Sequence, residues 1–259
     1  MAHTLMRRSA LVLRLQRYLP LTVDERESID VLERRERRVQ AGTRLIVESL
    51  PNQSLFIVQH GWLHSATTLK AGTRQIVKFH YAGDLLGTSS IAWSIAAATV
   101  TAIEDCIVYE ISKEQLGRLF KYQPRLAGLL YAVAAAEAVA ANDRLTSVGR
   151  MGADERLAML LLDMLARLRS SAGGVVDSFE LPLTQTDIGD AAGLTKVHVN
   201  RTLKAMEQRG WIERHGRRVR VLDEAGLIAL TGFVDRYAEV ATDWLPPPEG
   251  GTAALFGRY

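Results

Sequence analysis

Residues 183–213 read LTQTDIGDAAGLTKVHVNRTLKAMEQRGWIE, and this stretch decides the fold of the C-terminal third of the chain. Thr184 is a favoured N-cap residue, so we predict a short helix over residues 185–192. Gly193 supplies a turn, and Thr195 caps a second helix that runs to about Arg209, where Gly210 stops it. Two helices joined by a glycine turn are typical of the helix-turn-helix motif.

The second helix separates apolar residues from basic ones. Val199, Leu203 and Met206 have the spacing of a buried face. The polar residues on its other faces, most of them in the first two turns, are Lys196, His198, Asn200, Arg201 and Lys204. A helix-turn-helix protein contacts base edges with these first turns. The alternative is an amphipathic helix with a solvated face.

A basic hairpin follows the second helix. Residues 211–223, WIERHGRRVRVLD, are expected to form two strands that meet at Gly216, with Arg217 and Arg218 at the tip. Residues 184–222 carry eight Lys and Arg and four Asp and Glu, a net charge of +4 against +3 for the whole chain. Such a concentrated positive charge indicates contact with phosphates, and it favours DNA binding over a merely solvated helix.

The N-terminal half has a different pattern. Residues 38–110 alternate short apolar runs with glycine turns, which predicts a small antiparallel barrel or sandwich. Residues 69–76, LKAGTRQI, are expected to form a hairpin, with Gly72 at positive φ.

Helical patterns connect the two halves. Ser112 is expected to cap one helix, and an alanine-rich helix should run from Pro124 to about Val148. Leu126, Leu130, Val133 and Ala140 fall near one face of it, and we predict that this row forms the seam of a parallel dimer. The alternative is a helix buried against its own domain. A further helix over residues 152–170 and a short strand at 179–183 should follow.

Composition excludes several classes of protein. The only cysteine, Cys106, rules out an internal disulfide and a multi-cysteine zinc or iron–sulfur site in one chain. Arg14 and Arg17 interrupt the apolar run near the N-terminus too early for an export signal, and no stretch reaches the roughly 20 apolar residues that span a bilayer. We expect a cytoplasmic protein without a membrane partner. No Walker loop, nucleophile elbow or H-E-x-x-H motif is present, so we expect no enzyme.

The order of these parts resembles the CRP/FNR family of bacterial transcription regulators. The resemblance covers roughly residues 25–230 and is carried by residues 187–212 and by the weaker motifs AGTRLI, IVQHGWL and HYAGDLLG. It implies an α+β fold with an N-terminal antiparallel β-roll (a cyclic-nucleotide-binding-like jelly roll), a long central dimerisation helix and a C-terminal winged helix-turn-helix. The expected domains are residues 1–123, 124–149, 150–232 and a tail over 233–259. The family further implies a homodimer that binds a two-fold-related site on double-stranded DNA and usually activates transcription by touching RNA polymerase.

The resemblance also implies specific DNA contacts. Lys196, Val197 and Arg201 occupy the family's principal base-reading positions, and Arg201 is expected to donate two hydrogen bonds to a guanine. Many members have a glutamate in place of Val197, so the preferred half-site should differ from theirs. The predicted DNA-contact residues are Thr184, Gln185, Thr186, Thr195, Lys196, Val197, His198, Asn200, Arg201, Lys204, Arg217 and Arg218.

The sensor domain departs from the cyclic-nucleotide-binding pattern. Thr88 follows Gly87 where those members have a ribose-binding glutamate, and Ala96-Ala97 replaces the Arg-Ser pair that neutralises the phosphate. Because a buried phosphate without a cation or a full set of donors is costly, the usual mode of cyclic AMP binding is not expected. The candidate effector pocket is Gly83, Gly87, Thr88, Ala96, Ala97 and Thr99. It binds either a small apolar effector or nothing; the sequence leaves both open.

No cofactor is expected. His60, His64 and His80 are the candidate haem ligands, with hydrogen-bonded or surface histidines as the alternative. Cys106 is expected to be a buried structural thiol, with a redox switch as the alternative. The function also has an alternative: a ligand-binding regulatory module whose basic end contacts a protein instead of DNA. The role of the final residues, ALFGRY, stays open.

Overall fold

The structure is a computed structural model that describes residues 8–172 and 176–248. Within these residues the helices are α1 (Ala10–Leu15), α2 (Val23–Leu32), α3 (Ser89–Ala92), α4 (Lys113–Tyr122), α5 (Pro124–Arg150), α6 (Ala153–Ala172), α7 (Gln185–Ala192), α8 (Lys196–Gln208) and α9 (Glu224–Thr231). The strands are β1 (Glu36–Val39), β2 (Arg44–Ile46), β3 (Ser54–His60), β4 (Leu63–Thr68), β5 (Arg74–His80), β6 (Leu85–Leu86), β7 (Thr99–Ala102), β8 (Cys106–Ser112), β9 (Ser178–Glu180), β10 (Ile212–His215) and β11 (Arg218–Val221). The residues ALFGRY lie outside the described part of the chain.

Two antiparallel sheets form the N-terminal domain, in the orders β1-β8-β3-β6 and β2-β7-β4-β5. Buried residues that include Phe56, Val58, Val100 and Val108 form the apolar core of this roll. The β4–β5 hairpin turns at Gly72, whose φ is +83°. The predicted antiparallel sandwich and its hairpin are therefore confirmed.

The C-terminal domain packs α6, α7, α8 and α9 around one apolar core with a three-stranded sheet in the order β10-β11-β9. Leu161 of α6, Ile188 of α7, Leu203 of α8 and Leu227 of α9 are all buried in this core. Since β10 and β11 pair from Ile212–Val221 to His215–Arg218, the hairpin turns at Gly216 as predicted. These elements make a helix-turn-helix followed by a wing.

The chain beyond α9 returns toward the N-terminal helices. Arg236 pairs with Asp143 of α5 at 2.7 Å, and the Tyr18 hydroxyl donates to the carbonyl oxygen of Tyr237 at 3.0 Å. Leu245 packs so closely on Gly128 that a Cβ there would lie 2.5 Å from a leucine methyl. The segment therefore ties the C-terminal domain to α5 and to the N-terminal region.

A buried cluster of charges joins α1, the roll, α5 and α6. The Asp84 carboxylate accepts from Arg14 at 2.5 Å and also from Arg167. Arg14 donates further to Glu137 at 2.8 Å, and Lys78 donates to the other oxygen of Glu137 at 2.7 Å. Burial alone would raise the pKa of Asp84, but Arg167 and Arg14 outweigh it and hold that pKa well below its usual range. Breaking one partner would leave an uncompensated buried charge.

His80 at the end of β5 makes stability depend on pH. Burial and then Lys78 lower its pKa to about 3, against the attraction of Asp84 and Glu137. Because unfolded His80 binds a proton that the folded form rejects, its contribution is present above pH 6.5 and is lost as the pH falls toward 3. Between about pH 6.5 and pH 5 we expect the free energy of unfolding of His80→Gln to fall by roughly 1.5 kcal/mol less than that of the native chain. Urea unfolding of both proteins across that range measures the difference, and parallel pH profiles would contradict it.

Candidate nucleic-acid interface

The first helix of the motif begins at a reciprocal cap. The Thr184 hydroxyl accepts from the Asp187 backbone N–H at 3.1 Å, and the Asp187 carboxylate accepts from the Thr184 N–H at 2.9 Å. The helix ends at Gly193, whose φ of +66° is a left-handed conformation that favours glycine. The observed helix has the bounds that the sequence predicted, residues 185–192.

Gly189 lets the two helices of the motif approach each other. A Cβ at this position would lie 2.5 Å from the carbonyl oxygen of Leu194, a backbone atom of the turn. We expect Gly189→Ala to lower the free energy of unfolding by about 1–3 kcal/mol through overpacking. Thermal unfolding measures this. Gly117→Ala is the matched control, because a Cβ within α4 meets nothing within 4 Å and should be neutral or stabilising. Equal effects of the two substitutions would contradict the explanation.

The second helix, α8, buries one face and exposes its front. The Thr195 hydroxyl caps it by accepting from the His198 N–H at 3.3 Å. Val199, Leu203 and Met206 are buried, as their spacing predicted. The exposed side chains are Thr195, Lys196, Val197, His198, Arg201 and Lys204, with Asn200 partly buried. Val197 is 67% exposed, so its methyl groups are open to contact from outside the chain.

Ion pairing separates the basic residues of this domain into two groups. Two arginines away from the front of α8 are paired with acids: Arg209 with Asp154 at 2.6 Å and Arg214 with Glu207 at 2.5 Å. Across residues 8–172 and 176–248, by contrast, the side chains of Lys196 and Arg201 have no hydrogen bond or ion pair. The motif therefore presents uncompensated positive charge at the front of α8, where a polyanion would meet it.

The wing and the first helix extend this surface. Arg217 and Arg218 are exposed beside Gly216, and Arg218 donates to Ser178 of β9 at 2.9 Å. Thr184 and Thr186 are exposed at the start of α7, and Gln185 is partly buried. Phosphate contacts of helix-turn-helix proteins come from such flanking positions.

The roll holds the first helix of the motif through one arginine that the sequence did not single out. Arg74 of β5 donates to Asp187 at 2.5 Å and to Asp190 at 2.7 Å, and both acids belong to α7. Ile76 and Phe79 of the same strand share the apolar core of the C-terminal domain. Any change in the roll that moves β5 therefore acts directly on the helix-turn-helix. In the sequence, the only indication that Arg74 could make such a contact was its position two residues after Gly72, in the predicted hairpin turn.

The predicted seam of α5 is on the wrong face. Leu126 and Val133 are buried within their own chain, Leu130 packs against the same core, and Ala140 lines a cavity that other parts of the same chain complete. The alternative, a face buried against its own domain, is correct for this row. The opposite face is exposed and repeats at intervals of four and three residues: Tyr131, Ala135, Ala138, Asn142, Leu145 and Gly149. Tyr131 and Leu145 are each 73% exposed, and this spacing is that of a coiled-coil seam.

Of the six predicted effector residues, only Thr99 lines either of two cavities that the described residues form. Gly83 packs under α1, and Ala96 is buried in the core of the roll. Thr88 and Ala97 are exposed, and Gly87 packs on the Ser54 carbonyl oxygen. Thr99 lines a separate groove of about 250 Å³ with Arg44, His64, Arg74 and Thr101. With an alanine in the core and no cation at these positions, the residues do not fit a cyclic nucleotide in the family's usual mode.

The candidate cofactor ligands do not share one face of the sheet: Leu63 pairs with His80 and His64 with Phe79, so the rings of His64 and His80 lie on opposite faces. His60 ends β3 and His64 lies on β4, with Gly61 between them at φ +88°, while the His80 ring shares a hydrogen bond with Ser65 at 2.7 Å. Cys106 donates to the carbonyl oxygens of Glu104 and Trp62, and burial raises the pKa of its thiol to about 12. The described part of the chain brings together no three His, Cys, Asp or Glu residues that could hold a metal. One buried, protonated thiol does not fit an iron–sulfur cluster.

Comparisons with known proteins agree with this geometry. A family model described as a Crp-like helix-turn-helix domain matches residues 155–230, and one described as a cyclic nucleotide-binding domain matches residues 36–123. The transcriptional activator protein FnrA of Stutzerimonas stutzeri is 30% identical over 214 residues, which are 83% of this chain and 87% of the relative. The transcriptional activator protein anr of Pseudomonas aeruginosa is 31% identical with the same coverage. The solved structure of FixK2 from Bradyrhizobium japonicum superposes with a TM-score of 0.69 at 29% identity, over 77% of this chain and 98% of that one.

Proposed function

Because this chain belongs to the CRP/FNR family of transcription regulators, we propose that it is a homodimeric activator that binds a palindromic DNA site through α8. The observation that carries the proposal is that Lys196 and Arg201, at the exposed front of a helix whose other face is buried, form no hydrogen bond or ion pair within the described residues. In a two-fold dimer, two such helices about 34 Å apart enter successive major grooves.

The chemistry at the front of α8 suggests the base preference. Arg201 supplies a planar guanidinium that can donate to both O6 and N7 of one guanine. Val197 has no acceptor, so it can only make apolar contact, for which a thymine methyl is the fitting partner. Lys196 and Lys204 add positive charge to the same exposed part of α8. Arg217 and Arg218 extend that positive charge to the wing. We therefore infer a half-site with a guanine for Arg201 and a thymine for Val197.

The exposed stripe of α5 supplies the dimer contact. The alanines at positions 135 and 138 allow close approach, while Tyr131 and Leu145 provide apolar area toward each end. By length and composition α5 also meets the criterion for a membrane-spanning helix, with a mean hydropathy of 1.3 over its most apolar window. Its opposite face packs against the chain's own core at Leu126, Leu129 and Val133, so we assign the apolar stripe to a second copy of this chain.

The remaining parts of the proposal follow from the family. Activation would come from contact with RNA polymerase in the cytoplasm, and the relatives FnrA and anr are named as transcriptional activators. We propose a regulatory rather than a catalytic role for the chain.

Selection of duplexes from a random pool, followed by mobility shifts at one fixed salt concentration, tests the proposal. We expect a two-fold-related consensus that is bound at least about a thousandfold more tightly than random duplex. Equal affinity for all sequences would refute specific regulation. Negligible affinity for any duplex would favour the alternative of a protein partner at the basic surface.

A further inference from the structure

A cavity lies where the roll, α5, α6 and the C-terminal domain meet. It has a volume of about 80 Å³ and lies outside the six residues that the sequence suggested for an effector. Tyr81 and Phe79 line it from the roll, Arg144 from α5, Arg167 from α6, and Phe233 from the segment after α9. A volume of this size admits a few waters or one small organic molecule.

Three residues that line the cavity each carry a polar atom without a hydrogen-bond partner among the described residues. The Tyr81 hydroxyl, Nη1 of Arg167 and Nη2 of Arg144 are buried, and none of them makes a hydrogen bond within the described residues. Tyr81 is only 2% exposed and Arg167 only 4%. A buried donor without a partner costs about 1–3 kcal/mol. Three such donors around one cavity indicate that an acceptor belongs there.

The charges around the cavity favour an anion. Two of the lining cations are neutralised by lining acids, Lys78 by Glu137 and Arg236 by Asp143, each at 2.7 Å. Within the described residues Arg144 forms no ion pair, and Arg167 has only a share of the Asp84 carboxylate, which also pairs with Arg14, so positive charge remains at the wall. Arg156 donates to backbone carbonyls at the edge of the cavity. The one other acid on the wall is Asp163. Burial raises its pKa, so that carboxyl opposes an anion less than an exposed aspartate would.

The rest of the wall is apolar. Phe79, Leu160 and Phe233 border the cavity as well, so an inorganic oxyanion would leave this apolar surface without a partner. We propose that the cavity is a binding site for a small aliphatic carboxylate. Its oxygens accept from Tyr81, Arg144 and Arg167, and its short chain packs on the apolar wall.

Such a ligand would change the affinity of the chain for DNA, an inference that rests on the proposed function. Tyr81 follows β5, which holds α7 through Arg74, and Arg144 adjoins Leu145 in the exposed stripe of α5. A ligand that bridges Tyr81 and Arg144 therefore favours one placement of the helix-turn-helix relative to the dimer helix. A ligand can shift this equilibrium only by its differential affinity for the two arrangements.

Calorimetric titration of the full chain with sodium butyrate tests the site, with butyramide as the neutral isostere and sodium phosphate as the purely inorganic anion. We expect one butyrate per chain and at least tenfold weaker binding of both controls. Tyr81→Phe and Arg144→Gln should each weaken butyrate binding at least tenfold, whereas Tyr122→Phe, at an exposed tyrosine, should not change it.

Two further readouts keep the test decisive. Without ligand, Tyr81→Phe should leave the melting temperature unchanged or raise it, because the hydroxyl it removes has no partner; a clear decrease would indicate a cavity filled by water only. The site would be overturned if butyrate failed to bind, or if its affinity were the same for the native chain, Tyr81→Phe and Arg144→Gln. If butyrate binds but leaves DNA affinity unchanged, the coupling is overturned while the site stands. If the chain binds no DNA, the titration still decides the site independently.

Discussion

Arg201→Ala is expected to abolish sequence discrimination by this protein while leaving its fold intact. The side chain is exposed on α8 and has no hydrogen bond or ion pair within the described residues, so its removal breaks no internal contact. On the selected duplex we expect a loss of about 5- to 150-fold in affinity per half-site, the equivalent of one bidentate contact to guanine. Binding to random duplex should change far less. Mobility shifts on both duplexes at one salt concentration measure the two effects.

Lys204→Ala is the matched control for charge. It also removes one exposed cation from α8, one turn further along the helix. Because a phosphate contact carries no sequence information, it should weaken binding to all duplexes by a similar factor and reduce the salt dependence by about one ion. If Arg201→Ala behaved in this uniform way, its side chain would be a phosphate contact and the assignment of Arg201 as reader would be wrong.

Leu145→Glu is expected to convert the dimer into monomers. The side chain is 73% exposed in the single chain and lies on the stripe that we assign to the partner helix. In the dimer the substitution would place two carboxylates in an apolar seam, and burying unpaired charges of like sign is strongly unfavourable. We expect dimer dissociation to be favoured by on the order of a hundredfold or more. Affinity for the palindrome should fall at least as far, because one chain then binds one half-site.

Sedimentation velocity and mobility shifts measure these two consequences. Val31→Glu, which places the same charge at an exposed apolar position on α2, should leave both unchanged. A Leu145→Glu protein that stays dimeric would exclude this stripe as the seam. The melting temperature of each variant separates loss of the dimer from loss of the fold.

The sequence predicted the elements whose ends are marked by local chemistry. Thr184, Gly193 and Thr195 marked the bounds of α7 and the start of α8, because caps and a left-handed glycine act within a few residues. Gly72 and Gly216 located two hairpins for the same reason. The buried face of α8 followed from its periodicity alone.

Long-range packing was not predictable in this way. On α5 both faces are apolar, so periodicity could not decide which row meets the chain's own core and which is left for a partner. The cavity brings Tyr81, Arg144 and Arg167 together from three elements, and no local pattern connects them. Arg74 likewise gained its meaning only when the fold placed α7 against β5. The effector residues were inferred from positions in a family motif that this chain does not fill with the required side chains.

Replacing the guanine of each half-site by 7-deazaguanine tests the central claim most directly, because it removes the N7 acceptor and keeps the base pair. The affinities of the native chain and of Arg201→Ala for the normal and the modified duplex form a complete cycle. If the Arg201 guanidinium donates to that guanine, the modification weakens binding of the native chain and leaves the binding of Arg201→Ala unchanged. An equal loss for both proteins would show that another group reads this base and would contradict the account.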